Sequence, residues 1–118
     1  MSNLLESQQT FSILIARLID AAYREGYKIT VGEAYRPPEM AVIYANEGKG
    51  IINSLHSQRL AIDLNLFKDK IFLNDLAAYQ KIGEYWESLS TPDFQCCWGG
   101  RFKKPDADHF SISYNGTK

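Results

Sequence analysis

The sequence predicts an α+β fold: a small single domain spanning 1–118, with a mainly antiparallel sheet flanked by helices. Three observations predict it. At 118 residues the chain has room for one hydrophobic core and not two. Two long stretches carry apolar residues at helical spacing, while Leu60–Phe67 and His109–Tyr114 alternate as strands do. Strands and helices are interspersed too irregularly for the regular strand–helix alternation of a doubly wound parallel sheet.

From Gln8 to Glu25 the chain reads as an amphipathic helix. Phe11, Leu14, Ile15, Leu18 and Ala22 follow the i, i+3, i+4, i+7 spacing, and Gly26 is a suitable stop. Lys28–Ala34 reads as a strand. Pro37-Pro38 cannot continue it, but Pro38 can open a short helix from Glu39 to Ala45 because a first-turn N–H has no partner to lose. The glycine-containing stretch Asn46–Asn53 reads as a loop, a candidate rim or lid. In Leu60–Phe67 the residues Leu60, Ile62, Leu64 and Leu66 share one face, and Ala61, Asp63 and Asn65 the other. Asn74 is expected to cap a second long helix with Leu76, Tyr79, Ile82, Trp86 and Leu89 on its inner side, ending before Pro92. In the last strand Phe110, Ile112 and Tyr114 oppose His109, Ser111 and Ser113.

Composition narrows the function classes. Hydrophobic residues at 45% and charged residues at 23% are ordinary for a soluble globular enzyme. A net charge of -1 argues against broad nucleic-acid binding, which relies on a strong basic patch. No apolar run approaches the roughly 20 residues needed to span a bilayer. No basic stretch followed by an apolar one marks a secretory signal, so synthesis in the cytoplasm is expected. Cys96 and Cys97 are adjacent, which suits neither a relaxed disulfide nor the usual zinc spacing, and they are read as two packed thiols in a reducing compartment.

The chemistry concentrates in two segments, Ser54–Asp63 and Asp106–His109. They hold the chain's two histidines, each beside carboxylates. Two imidazoles and one carboxylate form a three-ligand zinc set with an open fourth position, the arrangement of a catalytic rather than a structural site. Side-chain alternation puts Asp63 and His109 on the sides of their strands away from the apolar faces. Neighbouring strands lie about 5 Å apart, so the two residues could share an ion. A carboxylate three residues before the second histidine could act as the base that zinc–water chemistry needs.

Ser-x-His-x(6)-Asp followed by carboxylate-x-x-His resembles the zinc-dependent peptidases that cut D-amino-acid-containing cell-wall peptides. These include D-alanyl-D-alanine carboxypeptidases and dipeptidases, and the L-alanyl-D-glutamate endopeptidases that many bacteriophages use as endolysins. Their fold is similar to that of the hedgehog signalling domain. The resemblance runs from about Gly32 to Phe110 and includes Tyr35-Arg36 and Trp98-Gly99-Gly100. It implies His56, Asp63 and His109 as zinc ligands, Asp106 as general base and Arg36 as a substrate-polarising cation. Many members carry Gly where this chain has Arg59, so the turn between His56 and Asp63 is expected to differ. Many bacterial members have Glu at the catalytic position; Asp106, the short chain and the Trp-Gly-Gly run resemble the phage endopeptidase branch.

Read without the resemblance, Arg36 is a surface partner of Glu33 or Glu39. Trp98 either lines the cleft or sits in the core. Asp108 could hold His109, but strand alternation places it on the opposite, exposed side. Ser54 is expected to orient the His56 loop through a backbone hydrogen bond. Three functions follow: a monomeric L-alanyl-D-glutamate endopeptidase reaching peptidoglycan stem peptides after release from the cell, a D-alanyl-D-alanine carboxypeptidase, or a binding module without turnover.

Overall fold

The computed structural model describes residues 3–118. Helix α1 spans Leu4–Arg24 and starts four residues before the expected Gln8, because Asn3 caps it by accepting from the Glu6 N–H at 2.8 Å. Strand β1 covers Lys28–Val31, shorter than the expected Lys28–Ala34, and α2 covers Pro38–Asn46 with proline in its first turn. Strand β2, Ala61–Lys68, is the longest and turns through Asp69-Lys70 into β3, Ile71–Leu73. Both turn residues have positive φ, 53° and 66°, the twist that two-residue hairpins require. Helix α3, Leu76–Ser88, is capped by Asp75 rather than by Asn74; the Asp75 carboxylate accepts from the Ala78 N–H at 2.9 Å. Strands β4, Cys96–Trp98, and β5, His109–Ile112, complete the sheet.

The sheet is antiparallel throughout, in the order β1-β2-β5-β4, with β3 also paired to β2. The α+β class with an antiparallel sheet flanked by helices is the architecture observed. Strands β3 and β4 were not legible as strands. Each is three residues long, and all three side chains of β4 are buried, so it carries no alternation.

Helices α1 and α3 meet the sheet through one aromatic stack. Phe11 packs edge-on against Trp86 with centroids 5.9 Å apart, and Trp86 packs edge-on against Phe110 at 6.3 Å. The Trp86 indole N–H donates to the carbonyls of Cys97 and Ser111, each at 3.1 Å, so one side chain ties α3 to both β4 and β5. Trp86→Ala is expected to cost about 3–5 kcal/mol, the range for deleting a buried large aromatic, with further loss from two abandoned carbonyls. Urea denaturation measures it; a loss under about 1 kcal/mol would show that this stack is not central to stability.

Candidate functional site

The register of β2 on β5 places Asp63 directly opposite His109. Asp63 lies mid-sheet. Its N–H donates to the Glu33 carbonyl and its carbonyl accepts from Gly32, both at 2.8 Å, while the next residue, Leu64, donates to the Asp108 carbonyl. His56 arrives from a 3₁₀ turn, Leu55–Gln58, immediately before β2. Ser54 starts that turn as expected, its hydroxyl accepting from the His56 N–H at 3.1 Å. Arg59 ends it at φ 60°, ψ 34°, the left-handed conformation that glycine adopts most freely. The turn therefore keeps a glycine-like backbone despite Arg59, whose guanidinium stacks 4.1 Å above the Tyr35 ring.

These elements bring His56, Asp63 and His109 together, with one candidate ligand atom from each lying within 4.8 Å of the others. Asp63 Oδ1 sits 3.4 Å from His56 Nε2 and 3.8 Å from His109 Nδ1. It is buried and has no hydrogen-bond partner among the described residues. The other nitrogen of His56, Nδ1, lies 3.2 Å from the Ala34 carbonyl; donation to that oxygen fixes the tautomer that leaves Nε2 with a free lone pair. A tetrahedral zinc with bonds near 2.1 Å separates its ligands by about 3.4 Å, so an orphaned carboxylate oxygen between two imidazole nitrogens fits that ion.

The electrostatics are uneven. Burial pushes His109 down to about 4, assisted by the neighbouring His56, so its ring is neutral and able to ligate. Burial also opposes charge on His56, but the nearby Asp63 carboxylate, the Ala34 carbonyl and the Glu33 charge together outweigh it and raise its pKa.

Asp106 is exposed and lines the cleft beside His56 and His109, a cavity of about 1030 Å³. Its position depends on the Trp98-Gly99-Gly100 run. The Asp106 N–H donates to the Gly99 carbonyl at 2.9 Å, and the His109 N–H to the Asp106 carbonyl at 3.2 Å. A methyl group on Gly99 would lie 2.1 Å from the Asp106 carbonyl and 2.7 Å from His109 Cβ, so only glycine lets this turn close. Trp98 is 1% exposed, and its indole N–H donates to the Ala107 carbonyl at 2.7 Å. It anchors the turn as a core residue.

Two expectations need correction. Asp108 is not on an exposed strand face: residues 107–108 form a turn ahead of β5, so the period of two does not reach them. Asp108 is half-buried, and its carboxyl is pushed up to about 7 by burial, by hydrogen bonding with Asp106, and by the charges of Asp63 and Asp106. It does not hold His109, whose Nε2 is without a hydrogen-bond partner among the described residues. Arg36 is not a surface residue. Its side chain is only 12% exposed and forks onto Glu33, with Nε at 3.2 and 3.1 Å from the two carboxylate oxygens and Nη2 also bonded to Oε1. Its Nη1 donates to Ser54 at 3.2 Å, and the guanidinium lies 5.0 Å from the Tyr44 ring centroid. Glu33 in turn lies 3.8 Å from His56 Nδ1. This Glu33–Arg36–Ser54 network beneath His56 was visible in sequence only as a possible pair.

Cys96 and Cys97 are free and buried, and burial raises the Cys96 thiol to about 11, which makes it unreactive. Among the described residues no helix is long and apolar enough to cross a membrane.

No curated protein matches the chain in sequence. Among solved structures, the L-Ala D-Glu endopeptidase ChiX of Serratia marcescens superposes with a TM-score of 0.68 at 20% identity, covering 86% of this chain and 79% of that one. At that identity the likeness is one of fold. The model of the D-alanyl-D-alanine carboxypeptidase family matches residues 47–112, more than half of the chain and the whole interval from His56 to His109. The chain belongs to that peptidase family.

Proposed function

We propose that the chain is one zinc peptidase domain that hydrolyses peptide bonds in bacterial peptidoglycan as a monomer, an L-alanyl-D-glutamate endopeptidase of phage endolysin type that reaches the wall after release from the cell. The observation that carries the reading is the orphaned Asp63 carboxylate between His56 and His109, with a second carboxylate, Asp106, on the cleft beside them. His56, Asp63 and His109 would hold the zinc, which when bound supplies Lewis acidity and a water acidified towards neutral pH. Asp106, exposed to the cleft, takes the proton of the attacking water and returns it to the leaving amine. The backbone bonds through Gly99 fix where Asp106 stands relative to His109.

Arg36 is assigned the developing oxyanion. Most of its donors are committed to Glu33 and Ser54, which makes the guanidinium rigid rather than free to swing. Arg36→Ala would leave Glu33 unpaired near His56, so it is expected to lower stability as well as turnover. Arg36→Lys keeps the charge and loses the fork. It is expected to lower kcat on the order of 100-fold with zinc content unchanged. Wild-type turnover in Arg36→Lys would confine Arg36 to holding Glu33 and Ser54.

A D-alanyl-D-alanine carboxypeptidase is the second reading, favoured by the description of the matching family. Digestion of purified peptidoglycan, with product masses, separates the two. Release of terminal alanine identifies the carboxypeptidase, and cleavage after the first stem residue identifies the endopeptidase. Intact peptidoglycan after incubation with the zinc-loaded protein would leave a binding module.

A further inference from the structure

Charge is segregated on this protein. The chain as a whole has 13 lysines and arginines against 14 aspartates and glutamates. The cleft beside the candidate metal site is lined by six of those cations and only two acids, Glu87 and Asp106. Three of the six are already neutralised: Arg36 by Glu33, Arg101 by Glu87 at 3.0 Å, and Lys49 by Glu47 at 3.4 Å. The other three, Lys118, Lys103 and Lys104, are exposed and make no ion pair or side-chain hydrogen bond among the described residues, and the segment that carries Asp106 holds two of them, Lys103 and Lys104. They follow the 3₁₀ turn at Gly99–Arg101 and precede Pro105-Asp106, so their chain path is tied at both ends.

From these observations we infer that Lys103 and Lys104 form a cationic lip that selects peptides carrying a free carboxylate close to the bond being cut. The reading rests on the proposed peptidase function and names its specificity. Lys103 is three residues from Asp106, and a fully extended chain spans at most about 3.6 Å per residue. The lip backbone is therefore within about 11 Å of the Asp106 backbone, the length of some three residues of extended substrate. A carboxylate on a residue flanking the scissile bond falls within reach of a lysine side chain, whereas one further along the substrate is screened over a Debye length of about 8–10 Å. The two sources of such a carboxylate are the α-carboxylate of a γ-linked glutamate and the carboxylate that ends the peptide. Unpaired lysines at a cleft mouth also raise the encounter rate of an anionic ligand.

The test uses the whole chain and three synthetic tetrapeptides of L-Ala-γ-D-Glu type: one with every carboxylate free, one amidated at the glutamate α-carboxylate, and one amidated at the C-terminus. Binding is titrated at low and at physiological salt, and cleavage is followed in parallel. The fully free peptide is expected to bind the Lys103→Gln/Lys104→Gln variant roughly 5- to 10-fold more weakly than wild type at low salt, from two exposed charge contacts. One amidated peptide should lose the same factor on wild type and nothing further on the variant, which identifies the carboxylate that is read. Lys81→Gln, remote from the cleft and paired with Glu25, should bind like wild type. Equal binding of the free peptide by the double variant and wild type overturns the inference. So does equal binding of all three peptides by wild type, or no binding of the free peptide. Cleavage without carboxylate discrimination sinks the lip alone, and discrimination without cleavage sinks the peptidase reading alone.

Discussion

Asp63→Ala is expected to abolish zinc binding and, with it, peptidoglycan cleavage, while leaving the chain folded. Both backbone bonds of Asp63 run to Gly32 and Glu33, just past β1, and alanine makes the same bonds. Oδ1 of the lost carboxylate has no hydrogen-bond partner among the described residues, and its removal costs only the attraction to His56, 3.4 Å away, whose ring can stay neutral. What disappears is the anionic member of a three-ligand set. In wild type, zinc at about 1,000 times its dissociation constant adds about 4 kcal/mol of stability by mass action, which for a chain of this size raises Tm on the order of 10 °C or more. Asp63→Ala, His56→Ala and His109→Ala should each lose that zinc-dependent rise and hold well below the one zinc per chain expected of wild type. Full zinc occupancy in all three variants would remove the ligand assignment outright.

The ligand set was legible because each strand writes its register in its apolar residues. Leu64 and Leu66 are fully buried on one side of β2, and Phe110 and Ile112 on one side of β5. With those faces fixed, Asp63 and His109 have to face away from that core, and a slip of one residue would bury both in it. That they stand opposite each other, rather than one pair apart, is set by three-dimensional pairing that no local pattern encodes.

Other features are hidden for identifiable reasons. Strand β4 is buried on both faces, so Cys96-Cys97-Trp98 shows no period. Asn74 and Asp75 are both good caps, and composition cannot choose between neighbours. Asp108 was misplaced because strand alternation was extended one residue into a turn. The glycine-like turn at Arg59 survives a non-glycine residue, which shows that the geometry delivering His56 is imposed by the surrounding bonds: the Arg59 N–H donates to the His56 carbonyl and the Leu60 N–H to the Leu55 carbonyl.

Asp106→Asn separates a peptidase from a binder, because it keeps size and shape and removes only basicity. The site's architecture argues that the fold will tolerate it. Asp106 is exposed, its backbone is held by Gly99 and His109, and the hydrogen bond its side chain shares with Asp108 can be made by an amide as well. Zinc content should be unchanged, since the three grouped ligand atoms, Asp63 Oδ1 and one nitrogen each of His56 and His109, come from other residues. Cleavage should fall by roughly 100-fold or more, the usual scale of general acid–base catalysis. Peptide binding should persist, and the loss of one negative charge near Lys103 and Lys104 should strengthen it for anionic peptides. Asp108 supplies the control. It hydrogen-bonds with Asp106 and feels the charge of Asp63, so a second acidic group, Asp63-Asp106-Asp108, shares Asp63 with the histidine set. If that group held the ion instead, Asp106→Asn and Asp108→Asn would both release zinc, and His56→Ala would not. If Asp106 is the base, Asp106→Asn retains zinc and loses turnover, while Asp108→Asn retains both to a much greater degree. Cleavage at the wild-type rate by Asp106→Asn, with zinc bound, would refute the assignment of the base.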